Sequence, residues 1–185
     1  MKTICYLDMD DVVADFATQA LRYIGNDCMK LKNKTRDEMT EEEKVLQNKL
    51  FHYCDYDNTF WETMPVKTGA YELYQYCLKH FDDVVFLSRF VPPKDKPNRL
   101  RAVQFLKTRW AHKHFYMNGK LPKVIVTSLS KEAFLQSRTG VAQVLVDDIY
   151  HNISKWKDNG CAGILFFSPK DVMRYINQRN GRVCR

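Results

Sequence analysis

Thr3-Ile4-Cys5-Tyr6-Leu7-Asp8-Met9-Asp10-Asp11 opens the chain with a short, nearly continuous apolar run that breaks off into acids. A run without polar alternation suits a strand buried on both faces of a parallel sheet. Four comparable runs follow: Val84-Val85-Phe86-Leu87, Val124-Ile125-Val126, Val144-Leu145-Val146 and Ile164-Leu165-Phe166-Phe167. Helical periods lie between them. Ala70, Leu73, Tyr74, Cys77 and Leu78 repeat at i, i+3, i+4, i+7 and i+8, and Ala102, Phe105, Leu106, Arg109 and Trp110 repeat the spacing less cleanly. Ser168-Pro169 has the form of an N-cap with proline at the first helical position, opening a last helix through Ile176. Strands alternating with helices predict a doubly wound, Rossmann-like α/β parallel sheet.

One interval breaks the alternation. From Val13 to about Thr59 there is no strand-like run, only a helix with Val13, Phe16, Ala17, Ala20, Leu21 and Ile24 on one face, stopped by Gly25, and a polar helical stretch near Glu41 to Tyr53. This reads as a small helical cap over residues 16–59, inserted after the first strand of a single domain whose core is 1–15 and 60–185. Such an insertion lies over the carboxyl ends of the strands, where sheets of this class bind ligands.

At 185 residues and 45% hydrophobic content, the chain can bury one sizeable core. No segment approaches the length of a bilayer span, so no membrane partner is expected. The first residues have only a short apolar run before Asp8, without the longer uncharged core of a signal peptide. Six scattered cysteines without a CxxC pair read as reduced thiols, hence a cytoplasmic setting. Lys and Arg outnumber Asp and Glu by 29 to 22, an excess that fits an anionic partner, either a phosphate ester or nucleic acid, as well as a generally basic surface.

The acids carry the chemistry. Asp8 and Asp10 follow the first strand directly, and Asp147 and Asp148 follow the Val144 to Val146 strand in the same way. If those strands are neighbours, four acids converge on one edge. Two carboxylates about 4 Å apart repel by roughly 4 kcal/mol at an effective dielectric near 20, so crowding them implies a cation between them. An all-oxygen ligand set favours magnesium. Either pair alone is as readily a turn former or a helix N-cap; both pairs at equivalent strand ends point to a metal site.

A carboxylate beside such a site suits phosphoryl transfer, because an Asp can attack phosphorus while the metal neutralises charge. A hydroxyl and a cation are then expected at other strand ends. Ser88 follows the Val84 strand and Lys131 lies just past Val124 to Thr127, although each taken singly reads as a strand-end cap or a surface residue. The order Asp-x-Asp, Ser, Lys, Asp-Asp is the joint signal.

Tyr6-Leu7-Asp8-Met9-Asp10-Asp11-Val12-Val13-Ala14-Asp15-Phe16 resembles the first motif of haloacid dehalogenase (HAD) superfamily phosphatases, and more narrowly that of the 5′(3′)-deoxyribonucleotidases, which reads close to DMDGVLADF. Phe60-Trp61-Glu62-Thr63-Met64-Pro65 with Gly69-Ala70 resembles that family's return from its cap. Phe86-Leu87-Ser88-Arg89, Val126-Thr127-Ser128-Leu129-Ser130-Lys131 and Val144-Leu145-Val146-Asp147-Asp148 are similar to its second, third and fourth motifs. The resemblance implies Asp8 as nucleophile and Asp10 as general acid, then base. It implies magnesium on the Asp8 carboxylate, the Asp10 carbonyl and one of Asp147 and Asp148, with Asp148 favoured as direct ligand. Ser88, Arg89, Lys131 and Arg101 would serve phosphate, and Phe16 would flank a nucleobase or pack in the core. Two positions depart from the pattern: Asp11 stands where many members have Gly, and Arg89 replaces a small residue.

The leading expectation is therefore a magnesium-dependent hydrolase of nucleoside monophosphates. A phosphatase of nucleic-acid ends is the enzymatic alternative, because Lys94, Lys96, Arg99, Arg101, Lys107, Arg109 and Lys113 crowd one segment and could track a backbone. A catalytically silent binding protein on the same scaffold is the non-enzymatic one; retention of Asp8 and Asp10 argues against it. His112 and His114 form a lone HxH that reads as a solvated helix end.

Overall fold

The computed structural model describes residues 1–31, 34, 36–135 and 140–178. Five strands form the sheet: β1 (Lys2–Leu7), β2 (Asp83–Arg89), β3 (Lys123–Thr127), β4 (Val141–Asp147) and β5 (Ala162–Leu165). All pair in parallel in the order β3-β2-β1-β4-β5. The apolar runs lack alternation because both faces are covered. Cys5, Leu7, Val84, Phe86, Val144 and Val146 face one hydrophobic core, while Ile4, Tyr6, Val85, Leu87 and Leu145 face a second with Ile153 and Trp156. The Rossmann-like arrangement expected of the sequence is the one present.

The helices are α1 (Phe16–Ile24), α2 (Glu41–Tyr56), α3 (Asn58–Glu62), α4 (Ala70–His80), α5 (Arg99–Phe115), α6 (Tyr150–Asp158) and α7 (Pro169–Gln178). Their starts follow local chemistry. Asp15 caps α1 by accepting from the Thr18 amide and hydroxyl, and Thr40 with Glu43 forms a capping box on α2. Gly69 precedes α4 with φ 79°, where an added Cβ would lie 2.8 Å from Pro169 of α7. No helix among the described residues is long and apolar enough to cross a membrane.

Several local expectations are corrected. Val13 lies in the turn before α1, and the buried face of that helix is Gln19, Ala20 and Ile24, while Ala17 and Leu21 are exposed. Gln19 is inside because its amide donates to the Phe60 carbonyl at 2.7 Å and the Thr63 hydroxyl at 2.9 Å, a polar anchor that a hydrophobic period cannot show. Arg109 and Phe105 of α5 turn outward, Arg109 towards Glu62. β5 ends at Leu165, and Phe167 is exposed. Helix α6, which buries Ile153 and Trp156, is an element the sequence reading does not include.

The helical segment from Phe16 to Glu62 is gathered between two adjacent crossings. The Asp15 amide donates to the Pro65 carbonyl at 2.8 Å and the Lys67 amide to the Val13 carbonyl at 2.9 Å. The chain thus leaves and re-enters beside the carboxyl end of β1, which holds these helices next to the acids that follow it.

Candidate active site

β1 and β4 are neighbours over six residue pairs ending Leu7↔Val146, so Asp8 and Asp147 leave the sheet side by side. Asp8, Asp147 and Asp148 each bring a carboxylate oxygen within 4.8 Å of the other two. Lys131, buried in a short 3-10 turn after β3, lies between two of them, at 2.7 Å from Asp8 Oδ1 and 2.5 Å from Asp147 Oδ2. Asp147 is fully buried and also accepts from the Ile149 amide and the Asn152 side chain.

The acids are perturbed in one direction. Burial pushes the Asp8 carboxyl well above the usual carboxylate range; Lys131 opposes this, and Asp147, Asp10 and Asp148 add to it. Burial pulls the Lys131 ammonium down, but Asp8 and Asp147 outweigh it and hold it above its ordinary value. Asp148 is exposed at the rim, yet its carboxyl faces the other acids. Loss of hydration, then Asp147 and Asp11, push it up to about 7.

Asp10 lies one turn further on. Its Oδ2 accepts from Lys107 at 2.5 Å and from Ser88 at 3.3 Å, and Lys107 also donates to Ser88 Oγ at 2.7 Å. Asp10 Oδ1 is buried with no hydrogen-bond partner among the described residues. Ser88, at the end of β2, is fully buried in this contact. Asp11 has φ 59°, a left-handed conformation that glycine adopts without strain, which accounts for the glycine in the resembling motif. Its added charge is met by Lys67 at 3.1 Å and by the Ala17 amide at 3.1 Å.

Five carboxyl groups, those of Asp8, Asp10, Asp11, Asp147 and Asp148, thus face three ammonium groups, those of Lys67, Lys107 and Lys131, so acids outnumber bases at this edge. That excess, with three carboxylate oxygens converging, fits a hard divalent cation.

The remaining residues named by sequence lie further out. Arg89 ends β2 and Arg101 lies in the first turn of α5, and both are exposed. Phe16 is half-buried, edge-on to Phe60 at 5.5 Å and tilted to Trp61 at 6.4 Å, within the aromatic cluster of the inserted helices. Four of the seven cations after β2 have partners within the protein. Lys107 points inward, Arg109 pairs with Glu62, Arg99 donates to Asn58, and Lys96 lies over the Tyr56 ring. Within α5, Lys107 and Arg109 part because successive positions point in different directions around the helix. His114 packs against Trp110, and burial lowers its pKa.

No family model matches the chain, and no curated protein matches it in sequence. Solved structures do share its fold. A structure described as the HAD-hydrolase YfnB of Bacillus subtilis bound to magnesium matches with a TM-score of 0.53 and 13% identity, over 95% of this chain and 99% of that one. A hydrolase from Streptococcus pneumoniae TIGR4 matches at 0.50 and 11% identity, over 94% and 97% of the two chains. One from Pseudomonas syringae matches at 0.50 and 11%, over 96% and 99%. At this identity the likeness is one of architecture: the chain has the Rossmann-like fold of the HAD hydrolases.

Proposed function

We propose that this protein is a phosphomonoesterase that hydrolyses a small phosphate ester, a nucleoside monophosphate by preference, through an aspartyl-phosphate on Asp8. The observation that carries the reading is the buried Lys131 held between Asp8 and Asp147 beside a second carboxylate with one unpartnered oxygen, Asp10. Both the Met9 amide and Lys131 engage Asp8 Oδ1, which leaves Oδ2 to attack phosphorus. Asp10 Oδ1 serves as proton donor to the leaving oxygen and then as acceptor from water. Lys131 stays paired with Asp8 and offsets charge as phosphorus becomes crowded with oxygens.

Magnesium is the proposed cofactor, held by the Asp8 carboxylate, the Asp10 carbonyl and Asp148, with Asp147 reserved by its bonds to Lys131 and Asn152 for orienting the others. A bound magnesium ion supplies charge neutralisation at the phosphoryl oxygens. Arg89 and Arg101 are open to contact phosphate, and Ser88 acts through Asp10. The helices of residues 16–59 form the cap of the proposed division, and their position favours a small ester over a polymer. The five described cysteines form no disulfide, which supports a reducing, cytoplasmic setting.

The test is phosphate release from deoxy- and ribonucleoside monophosphates, a sugar phosphate and a 3′-phosphorylated oligonucleotide, each with and without magnesium. Magnesium-dependent release that is highest on mononucleotides is expected. Release from the oligonucleotide alone would replace the mononucleotide reading with that of an end-processing phosphatase, and inertness on every ester would remove the phosphatase reading.

A further inference from the structure

Lys107 is buried to 2% exposure in the middle of α5, an unusual place for a lysine outside a specific pairing. An ammonium has three protons to place. One goes to Asp10 Oδ2 at 2.5 Å and one to Ser88 Oγ at 2.7 Å, and the nitrogen lies 4.2 Å from the centroid of the Trp61 ring, within cation–π range. The donor directions are therefore filled from within the protein, and none is left for a phosphoryl oxygen. Lys107 differs in this from Lys131, which sits at the nucleophile.

The consequence falls on Asp10. A carboxylate held through one oxygen by a buried cation and a buried hydroxyl has its side-chain rotation fixed, and here the other oxygen is the one without a partner. Trp61 extends the connection. Its indole donates to the Cys54 carbonyl of α2 at 2.8 Å and its ring meets Phe16, so the ring that Lys107 touches is anchored to the inserted helices. We propose that Lys107 is a positioning residue: it holds Asp10 by Oδ2 so that Oδ1 meets the leaving-group oxygen, and through Trp61 it ties that orientation to the cap. The inference rests on the phosphatase reading and assigns the residue that makes Asp10 effective.

In the first half-reaction an Asp8 oxygen bonds phosphorus as the ester P–O bond breaks, and the proton on Asp10 Oδ1 goes to the departing oxygen. In the second, a water oxygen bonds phosphorus, its proton goes to Oδ1, and the bond from phosphorus to Asp8 breaks. Only the first needs a proton for the leaving group, and only when that group is a poor one.

The experiment compares wild type, Lys107→Met, Asp10→Asn and the double variant on two esters: a nucleoside monophosphate, whose alkoxide needs protonation, and 2,4-dinitrophenyl phosphate, whose phenolate leaves without it. Lys107→Met is expected to lose on the order of a hundredfold in kcat/KM, which reports the first half-reaction, on the nucleotide and only a few-fold on the aryl ester, while the second half-reaction, common to both esters, slows alike for each. It should add almost nothing to Asp10→Asn on either ester, because both variants disable one unit. Equal losses in kcat/KM on the two esters, or a full multiplicative loss in the double variant, overturn the inference and leave the phosphatase reading intact. A wild type inert on both esters overturns both. Should Lys107→Met fail to fold, Lys107→Gln, which retains a donor, carries the same ratio test with a smaller selective loss. Thermal unfolding gives a readout independent of turnover: the effects of Lys107→Met and Asp10→Asn on stability should be non-additive, and additive effects refute the contact.

Discussion

At the amino edge of the sheet Lys2, Asp83 and Lys123 begin β1, β2 and β3, and both lysines pair with Asp83 while Thr3 donates to Asp82 from its amide and hydroxyl. At the carboxyl edge Asp8 and Asp147 follow β1 and end β4, joined by Asp10, Asp11 and Asp148. The same residue types behave in opposite ways. The side chains of Lys2 and Lys123 are 53% and 61% exposed, and hydrogen bonds from Lys123 and then Lys2 hold the Asp83 carboxyl below the usual range. At the other edge the ion pairs are buried and the Asp8 and Asp148 carboxyls are held above it. The first edge is balanced and needs nothing more. The second carries charge that folding disfavours, and such a cluster persists for what it binds and does.

Removing the centre of that cluster gives the largest contrast. Asp8→Asn should abolish magnesium-dependent turnover, because the amide cannot attack phosphorus, while the melting temperature stays level or rises since a disfavoured buried charge is gone. Undiminished phosphate release from the variant would sink the covalent mechanism.

Lys131→Met attacks the same edge from the cationic side and should damage both properties. A loss of about a hundredfold or more in kcat is expected, with destabilisation of about 3–5 kcal/mol because Asp8 and Asp147 are left buried without a counter-charge. Adding Asp8→Asn to it should recover part of the stability and none of the activity. Near-native kinetics and an unchanged denaturation midpoint would show that Lys131 plays no part at this edge.

Acidity separates the edges by sign. Asp148 titrates at about 7 in the fold against an ordinary 3.8, so its penalty grows as pH rises through that window, and metal-free Asp148→Asn should gain stability relative to wild type from pH 4 to 7. Asp83 is lowered, so its contribution is present above 3.8 and is lost as pH falls through its folded value. Parallel stability curves for wild type and Asp148→Asn across that range would refute the contrast.

The smallest effect is expected from Asp83→Asn itself: a melting temperature lower by at most a few degrees at neutral pH, a deficit that shrinks in acid and in high salt, and kcat unchanged. A large loss of activity would mean that the amino edge reaches the site through the sheet.

The five strands and the acids at the ends of β1 and β4 were legible in the chain itself, because each depends on neighbours in sequence: an apolar run too uniform to face water, followed at once by carboxylates. The positions of Ser88 and Lys131 were legible for the same reason, one at the end of a strand and one just past a strand. What lay beyond sequence was how these ends meet. The order that sets β1 beside β4, the bridge of Lys131 between Asp8 and Asp147, and the burial of Gln19 were all decided by packing. Lys107 shows the division most plainly, since in sequence it is one of seven cations in a basic segment. It meets Asp10 across 97 residues only because α5 packs on the sheet with that one position turned inward, where an ammonium is retained by a carboxylate and a hydroxyl that the chain alone gives no reason to place there.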